Sequence, residues 1–378
     1  FMVRLLHSAD WQIGRAYLSR FLPENGHALA EARLQAVERL AALATAQSVD
    51  MVIVAGDVFD AQTVTDRTIR RLFNALAGFA GPWILLPGNH DAALAESVWT
   101  RAQRLGAVPA KVHLALKPEV LLFPELGLAL LPAPLTQRHS YGDLSAWFDT
   151  AETPDGWLRV GMAHGGVQGL LMEGLDATNP LAPDRAERAR LDYLALGDWH
   201  GCKRIDERTW YSGTPEPDRF KANDAGQALL VELNVPGAVP QVTPVRTAQF
   251  HWQRLEAVLQ VATDVDALIA QLAALGPSDV VDLSIRGQID GAGESRLNIA
   301  LNQAEARLRH LGVDRSALRL ALSDDDMATY TESLHADGYL AEVMAELCEA
   351  QRQEGLSAQT AQDALALLLS VLAETASL

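Results

Sequence analysis

Five short polar motifs in the sequence each follow an apolar segment that is typical of a buried strand. Each contains Asp, Asn, Gln or His, and glycine stands beside four of the five. In an α/β sheet, side chains just past the carboxyl ends of the strands converge on the crevice where ligands bind. The motifs are Asp10-Trp11-Gln12, Gly56-Asp57-Val58-Phe59-Asp60, Gly88-Asn89-His90-Asp91, Ala163-His164-Gly165-Gly166 and Gly197-Asp198-Trp199-His200.

Together the motifs supply seven oxygen and nitrogen donors, a set that suits two divalent ions sharing one carboxylate. A single Asp at a strand end commonly caps a turn or a helix, so the prediction rests on the joint occurrence of the motifs. Two ions about 3.5–4 Å apart activate a water molecule and clamp a phosphate group. The sequence therefore predicts metal-assisted hydrolysis of a phosphoester.

Alternating strands and helices must position these motifs. Residues 51–55 form a continuous apolar run, typical of a strand that is covered on both faces, and residues 24–47 have helical periodicity. Near residues 248–255 the pattern changes to a helix over 258–275, a strand over 280–288, a helix over 294–311 and a strand over 317–323. We predict an α/β fold with a catalytic domain at residues 2–250, a smaller α+β domain at 251–326 and C-terminal helices at 327–378. The helices either pack on the core or dock a partner.

Composition and charge limit the partners. The 378 residues are 49% hydrophobic and carry a net charge of −17, which argues against a protein coated for duplex DNA. The excess is uneven, because residues 251–378 hold 8 basic and 20 acidic side chains. Any nucleic-acid contact must be narrow and local. With two cysteines, no secretory signal and no apolar run near 20 residues, we expect a cytoplasmic protein that does not contact the membrane.

The motif series resembles the calcineurin-like metallophosphoesterases, whose pattern is D-x-H, G-D-x-x-D, G-N-H-[DE], a later His and G-x-H. Residues 195–200, followed by the Trp-Tyr-Ser-Gly-Thr-Pro segment at 210–215, are similar to the SbcD nuclease branch. The resemblance covers about residues 2–250. It implies a four-layer αββα sandwich followed by a capping domain, and a partner of the SMC-like ATPase class.

The resemblance also implies a role for each polar residue of the motifs. Two metal ions would share Asp57 as a bridging ligand. His90 would contact the scissile phosphate and either stabilise its charge or protonate the leaving oxygen, and Asp60 would orient His90. One ion would lie on Asp10, Gln12, Asp57 and His200, and the other on Asp57, Asn89, His164 and Asp198.

Two residues depart from the family pattern. Gln12 replaces a histidine, and Asp198 replaces the first histidine of the G-H-x-H variant. Both replacements keep an oxygen that can bind a cation, so we expect the metals to be retained. Five oxygen donors and two imidazoles favour Mn²⁺ over Zn²⁺, with Mg²⁺ as an alternative ion. The same departures resemble a bacterial clade of Mn²⁺-dependent single-strand DNA endonucleases from DNA-repair gene clusters, and this resemblance supplies the substrate prediction.

Further candidates for substrate contact each have a structural alternative. His113 and His139 either reach a phosphate or leaving group or serve the fold alone. Trp11 and Trp199 either stack an unpaired base or pack against the wall of the site. Cys202 follows His200 by two residues and is expected to be a buried thiol rather than a ligand.

The predicted function is a two-metal DNA phosphodiesterase, a Mn²⁺-dependent single-strand DNA endonuclease in DNA repair. Its expected partners are single-stranded DNA and an SMC-like ATPase or repair helicase. Three alternatives stay open at this point. They are an SbcD-like 3′–5′ exonuclease subunit, a small-molecule phosphodiesterase, and an inactive metal-binding scaffold.

Overall fold

In the computed structural model, the described residues are 2–17, 23–170, 178–320, 338–352 and 356–375, and the chain forms two compact units, 1–251 and 252–378. The first unit contains two six-stranded sheets. The first sheet has the order β14-β13-β1-β2-β3-β4, in which β1 to β4 run parallel. Its strands are β1 (Val3–Ser8), β2 (Met51–Val54), β3 (Trp83–Leu85), β4 (Val112–Leu114), β13 (Gln227–Leu233) and β14 (Gln241–Arg246).

The second sheet has its central strands parallel and both outer strands antiparallel to their neighbours. Its strands, in spatial order, are β11 (Lys203–Arg204), β12 (Thr209–Tyr211), β10 (Tyr193–Gly197), β7 (Leu158–His164), β6 (Leu128–Ala133) and β5 (Leu121–Phe123). A separate two-stranded sheet pairs β8 (Gly166–Val167) with β9 (Pro180–Leu181).

Apolar layers hold the two sheets face to face and cover their outer surfaces. The inner layer joins side chains of both sheets, such as Ile53 and Met162. The outer face of the first sheet is covered by α1 (Pro23–Ala46), α2 (Asp66–Ala75) and α3 (Val98–Arg104), and that of the second by α4 (Arg185–Arg188) and a 3₁₀ turn at Ala146–Asp149. The predicted four-layer αββα sandwich is therefore confirmed.

Local sequence explains the two elements nearest the polar motifs. All four residues of β2 are buried, as expected for a strand covered on both faces. Helix α1 buries a stripe that includes Leu29, Val37 and Leu40, so its periodicity packs it onto the first sheet. At the start of α2, the Thr65 side chain accepts a hydrogen bond from the backbone N–H of Thr68.

The second unit is built on a three-stranded sheet with β16 central and parallel to β17. Met344 and Leu365 of its last two helices are buried in the same apolar cluster as the sheet, which supports core packing of these helices. The elements are β15 (His251–Leu259), α5 (Ala262–Ala274), β16 (Asp279–Ile289), α6 (Gly291–Arg307), β17 (His310–Leu320), α7 (Gly338–Ala350) and α8 (Leu356–Thr375).

Two helices of the second unit start at positions that differ from those suggested by periodicity. The helix expected over 258–275 begins at Ala262, because the Asp264 carboxylate accepts hydrogen bonds from the N–H groups of Gln260 and Val261. The helix expected over 294–311 begins at Gly291, where Asp290 accepts from Gly293. The predicted boundary at 326/327 lies outside the described residues. Among the described residues, no helix is both long enough and apolar enough to cross a membrane.

Candidate metal centre

The polar motifs meet at one edge of the sandwich, where neighbouring parallel strands end. Asp10, Asp57 and Asn89 follow the adjacent strands β1, β2 and β3 of the first sheet. His164 is the last residue of β7, and Asp198 directly follows the adjacent strand β10. Both sheets therefore contribute to a single site, as expected for strands whose carboxyl ends share an edge.

The floor of this site is buried, while its rim is open to solvent. One ligand atom from each of Asp10, Asp57 and His164 lies within 4.8 Å of the others, and all three residues are buried. The side chains of Asp198 and His90 are 41% and 30% exposed. The centre can therefore hold ions on buried carboxylates and still admit a substrate from one side.

The four residues predicted to hold the second ion lie around one point. They are Asp57, Asn89, His164 and Asp198. His164 Nε2 lies 3.5 Å from Asp57 Oδ1 and 3.7 Å from Asp198 Oδ1. The side-chain amide of Asn89 lies 3.0 Å from the same nitrogen and 3.2 Å from each carboxylate oxygen of Asp57, with its NH₂ group toward them. The four side chains therefore converge closely enough to surround one divalent ion.

Residues predicted for the first ion also converge, with one difference. Gln12 lies beside Asp57 and His200, but the atom nearest to them is Nε2, at 3.4 Å from Asp57 Oδ2 and 3.5 Å from His200 Nε2. Gln12 Oε1 instead accepts a hydrogen bond of 2.5 Å from Arg15 Nη1. The predicted oxygen ligand therefore faces away from the centre, because a neighbouring guanidinium binds it.

Backbone conformation at the centre is unusual, a feature that composition and periodicity do not reveal. Asp10, Gln12, Asp57 and Asp198 have positive φ angles of 55°, 45°, 53° and 96°. Non-glycine residues seldom adopt this region, and they do so mainly where the surrounding structure enforces it at functional sites. The fold thus keeps four of the predicted ligand residues in strained conformations.

Two glycines of the motifs are required by close approach. Gly56 has φ +95°, and a Cβ atom there would overlap the imidazole of His164. A Cβ at Gly88 would overlap the Asp57 carboxylate. These glycines let the strand ends approach the ligand side chains closely.

Excess negative charge dominates the electrostatics of the centre. Burial alone would lower the pKa of His164, but Asp57, Asp10 and Asp198 raise it to about 9. Burial, with Asp57 and Asp198 nearby, raises the pKa of Asp10 against the opposing effect of His200 and His164. Carboxylates crowded in this way favour a bound cation, so these residues fit divalent metal ions.

His90 lies at the rim and is oriented by backbone rather than by a carboxylate. Its backbone N–H donates to Asp57 Oδ1 at 2.9 Å, and its Nδ1 donates to the carbonyl oxygen of Asp60 at 2.7 Å. The Asp60 carboxylate is 4.0 Å from Nδ1. The expected pairing of Asp60 with His90 therefore exists, but the main chain makes it. The Nε2 atom lies on the side of Asp57 Oδ2, 3.9 Å away.

Sequence reasoning missed three buried polar residues that support the site. Arg33 of α1 donates to the carbonyl oxygens of Asp10, Trp11 and Glu216 and to the hydroxyl of Thr214. The sequence feature that could have identified Arg33 is its position within the apolar stripe of α1, four residues after Leu29 and four before Val37.

Asp91 and Asp218 are the other two. Asp91 accepts from the N–H groups of Phe59 and Gly88, which joins the second and third motifs, and burial raises its pKa. Asp218 Oδ2 lies 3.1 Å from His200 Nδ1. Burial would raise the pKa of Asp218, but the hydrogen bond from His200 and contact with Arg219 hold it well below its usual range.

Trp11 and Trp199, each expected either to stack an unpaired base or to pack against the wall of the site, differ in exposure. Trp11 is 1% exposed and packs edge-on against Trp83, which agrees with the packing alternative and leaves no ring face for a base. Trp199 is half-buried, with the ammonium groups of Lys221 and Lys203 at 4.3 and 5.6 Å from its ring centroid. It is therefore an aromatic group with adjacent cations next to the metal centre.

His113, His139 and Cys202 have local partners of their own. His113 lies within β4 rather than after its end, and its ring packs edge-on against Phe123. His139 Nδ1 is 3.3 Å from the Thr178 hydroxyl. Cys202 is half-buried, whereas the sequence suggested a buried thiol, and burial raises the pKa of the thiol to about 11.

Comparison with known proteins agrees with this geometry. Residues 3–224 match the family described as Calcineurin-like phosphoesterase. The SbcD subunit of nuclease SbcCD from Rhodobacter capsulatus is 36% identical over 291 residues, 64% of this chain and 69% of that protein. DNA double-strand break repair protein Mre11 of Methanosarcina acetivorans is 23% identical over 307 residues, 76% of this chain and 46% of that protein.

The crystal structure of TT1561 of Thermus thermophilus aligns with a TM-score of 0.41 and 12% identity, over 65% of this chain and 100% of that one. The chain spans about half the length of the Mre11 relative. The identity to SbcD confirms the predicted resemblance to that branch. Since the family match extends over more than half of the sequence, the protein belongs to the calcineurin-like phosphoesterases and is a metallophosphoesterase.

Proposed function

We propose that this metallophosphoesterase hydrolyses phosphodiester bonds of DNA, uses Mn²⁺, and cuts unpaired strands internally. The observation that carries the proposal is the buried cluster of Asp10, Asp57 and His164 beside the half-exposed His90. The names of its two relatives, a nuclease component and a DNA double-strand break repair protein, support DNA as the substrate class.

The donor set supports a hard divalent ion. Divalent ions bound here would supply a nucleophilic water near neutral pH and neutralise charge on the phosphate. Asp10, Asp57 and His200 would hold one ion, and Asp57, Asn89, His164 and Asp198 the other. Carboxylate and amide oxygens outnumber imidazoles in this set, which favours Mn²⁺ or Mg²⁺ over Zn²⁺.

His90 would act on the substrate from the rim. The carbonyl of Asp60 fixes Nδ1 as a donor, so Nε2 is the atom available to a phosphate oxygen or to the leaving group. A protonated Nε2 would stabilise negative charge on the phosphate or give its proton to the departing oxygen. The partial exposure of the ring gives a strand access to it.

Trp199 supports the preference for unpaired strands. Single-stranded nucleic acid is commonly bound by an aromatic ring next to cations that follow the backbone. Trp199 lies between Asp198 and His200 in the chain, and Lys221 and Lys203 are close to its ring. Such a pair of cations also gives the narrow, local contact that the net charge of −17 requires.

The deciding experiment incubates closed circular single-stranded DNA with the protein and Mn²⁺, with Mg²⁺ and Zn²⁺ in parallel. A circle has no ends, so its linearisation and later fragmentation require an endonuclease. His90→Asn should abolish the cutting, whereas the matched substitution His113→Asn, on β4, should leave it unchanged.

Other outcomes would select the competing functions. An intact circle beside a degraded linear strand would mean an SbcD-like exonuclease. Hydrolysis of a free nucleotide diester without DNA cleavage would mean a small-molecule phosphodiesterase. If Mn²⁺ binds and no diester is cut, the protein is a metal-binding scaffold.

We further propose the roles of the remaining parts. The second unit would serve as a cap that selects the substrate, and the faces of α7 and α8 that are not packed on its sheet would dock an SMC-like ATPase or a repair helicase. The 36% identical relative is named as one component of the nuclease SbcCD, which supports assembly with a second chain. A cytoplasmic location follows from a DNA substrate. Co-purification of this chain with a co-expressed SMC-like ATPase, and its loss when 338–375 are deleted, would test the docking role.

A further inference from the structure

Two arginines lie beside the predicted metal ligands and share one carboxylate. Arg15 Nη1 is 3.0 Å from Asp218 Oδ2, and Arg219 Nη2 is 2.7 Å from the same oxygen. Arg219 Nε also donates to Asp218 Oδ1 at 3.0 Å. Because two guanidinium groups face one carboxylate, the cluster keeps an excess positive charge in a protein whose net charge is −17.

The two arginines are partly exposed, whereas the groups that hold them are buried. The side chains of Arg15 and Arg219 are 27% and 48% exposed, and that of Asp218 is 1% exposed. The buried ring of Tyr17 lies against the Arg15 guanidinium, with 5.8 Å from Cζ to the ring centroid. Both cations are therefore held from the protein side and accessible from the solvent side.

Each guanidinium keeps N–H groups for a further partner. A guanidinium carries five N–H donors and no acceptor. Among the residues that the structure describes, hydrogen bonds and ion pairs engage Nη1 of Arg15 and the Nε and Nη2 atoms of Arg219. The remaining N–H groups suit a phosphate, because guanidinium groups bind phosphate oxygens through paired hydrogen bonds.

The order of strands places Arg15 and His90 on opposite sides of Asp57. Arg15 contacts Gln12, and both follow β1. Asp57 follows β2, which lies between β1 and β3, and His90 follows β3. A strand whose scissile phosphate lies over Asp57 and His90 can therefore extend its next phosphate toward Arg15.

We propose that Arg15 and Arg219 form a clamp for the phosphate next to the scissile one, so that the site selects a strand with consecutive phosphates over an isolated phosphodiester. The inference rests on the proposed DNA function and deepens it by naming two residues that determine specificity. The clamp adds a contact with the backbone to the base stacking proposed for Trp199.

The test compares three dinucleotides that share one scissile linkage and differ in having no terminal phosphate, a 5′-phosphate or a 3′-phosphate. With Mn²⁺, the terminal phosphate on the side of the clamp should raise kcat/KM of the wild type by about tenfold or more. The double variant Arg15→Met/Arg219→Met should lose this gain. Any effect of the substitutions on the metal centre applies to all three dinucleotides and cancels in the ratio.

Two further variants make the comparison specific. Arg188→Met, at an exposed arginine of α4, is the matched control and should keep the full gain. The double variant Arg15→Lys/Arg219→Lys should keep part of it, because lysine retains the charge but not the paired donors. The proposal is overturned if neither terminal phosphate helps the wild type, or if the double methionine variant keeps the gain. The two arginines would then serve only to position Asp218.

DNA binding without added metal separates this inference from the proposed function. Fluorescence anisotropy of a labelled oligothymidylate of about ten nucleotides measures Kd at several salt concentrations and needs no hydrolysis. The double methionine variant should lower the slope of log Kd against log salt by about 0.7, as expected for one lost phosphate contact. That change without cleavage of circular DNA would keep the clamp and reject the cleavage function. An unchanged slope with normal cleavage would keep the function and reject the clamp.

Discussion

His164 Nδ1 donates a hydrogen bond of 2.8 Å to the carbonyl oxygen of Ala55, which joins the end of a second-sheet strand to the end of a first-sheet strand. This bond commits one ring nitrogen to the backbone and leaves Nε2 directed at Asp57 and Asn89. A histidine held in this way presents one defined nitrogen to a metal ion. The geometry of the centre therefore depends on how the sheets are packed as well as on the motifs.

The pairing of His90 with the backbone of Asp60 predicts very unequal effects for two substitutions. His90→Asn should lower kcat for cleavage of single-stranded DNA by about 100-fold or more, since it removes the imidazole that we propose acts on the phosphate or the leaving oxygen. Asp60→Asn should lower kcat by less than about fivefold, because the carbonyl that orients the ring is unchanged. Steady-state rates with Mn²⁺ measure both. An Asp60→Asn loss as large as that of His90→Asn would contradict the backbone assignment.

We expect Asp218 to affect metal binding and catalysis because it holds His200 in position. Asp218→Asn keeps the size of the side chain but weakens its bond to His200 Nδ1, so we expect Mn²⁺ affinity or kcat to fall by about 10- to 100-fold. A Mn²⁺ titration and single-turnover cleavage measure the two effects. Asp155→Asn, at an exposed carboxylate of the same unit, is the control and should change neither.

We expect the burial of His7 to make the stability of the fold depend on pH. It is buried between the sheets with Nδ1 2.8 Å from the Tyr193 hydroxyl, and burial lowers its pKa from 6.5 to about 3. Below pH 6.5 the unfolded chain binds a proton that the folded chain does not, so the free energy of unfolding falls as the pH drops from 6.5 toward 3. Between pH 7 and 5 this amounts to about 2 kcal/mol.

Urea unfolding of wild type and His7→Gln at several pH values checks this prediction. The difference between the two proteins isolates the contribution of His7, because the other titrating groups are shared. It should shrink or reverse as the pH falls from about 7 to about 5. A difference that does not vary with pH would show that His7 is protonated equally in both states.

Arg33 should be important for stability because it is fully buried and donates to five oxygen atoms around the first motif. Arg33→Met leaves the carbonyls of Asp10, Trp11 and Glu216 without this donor, which should lower the free energy of unfolding by about 2–4 kcal/mol. Arg70→Met, at an exposed arginine of α2, should lower it by less than about 1 kcal/mol. Urea unfolding measures both, and equal losses would reject the role of Arg33.

The sandwich and the location of the centre could be predicted because they depend on short-range sequence. Apolar runs such as residues 51–55 mark buried strands, and the polar residues that follow them must lie at the strand ends. The direction of an amide could not be predicted, since Gln12 depends on Arg15 and Arg15 on Asp218, which is 203 positions further along the chain. The same holds for Asp60, because a sequence motif does not show whether its backbone carbonyl or its carboxylate contacts His90.

Helix boundaries in the second unit were harder for a different reason. Residues 258–261 are apolar or neutral enough to continue either a strand or a helix, so periodicity could not separate them. The choice is made by Asp264, whose carboxylate binds two backbone N–H groups before the first turn of α5. Trp11 shows a similar limit, because its place in a ligand motif did not reveal that the indole points into the core.

The division of the centre between two sheets gives bound ions a mechanical role. Asp10, Asp57 and Asn89 follow strands of one sheet, and His164, Asp198 and His200 lie at the ends of strands of the other. Each bound ion would therefore cross-link the two sheets. An ion that binds only the folded chain adds about 2.7 kcal/mol of stability at 100 times its Kd. Loss of the metal would therefore lower the free energy of unfolding as well as the rate of hydrolysis.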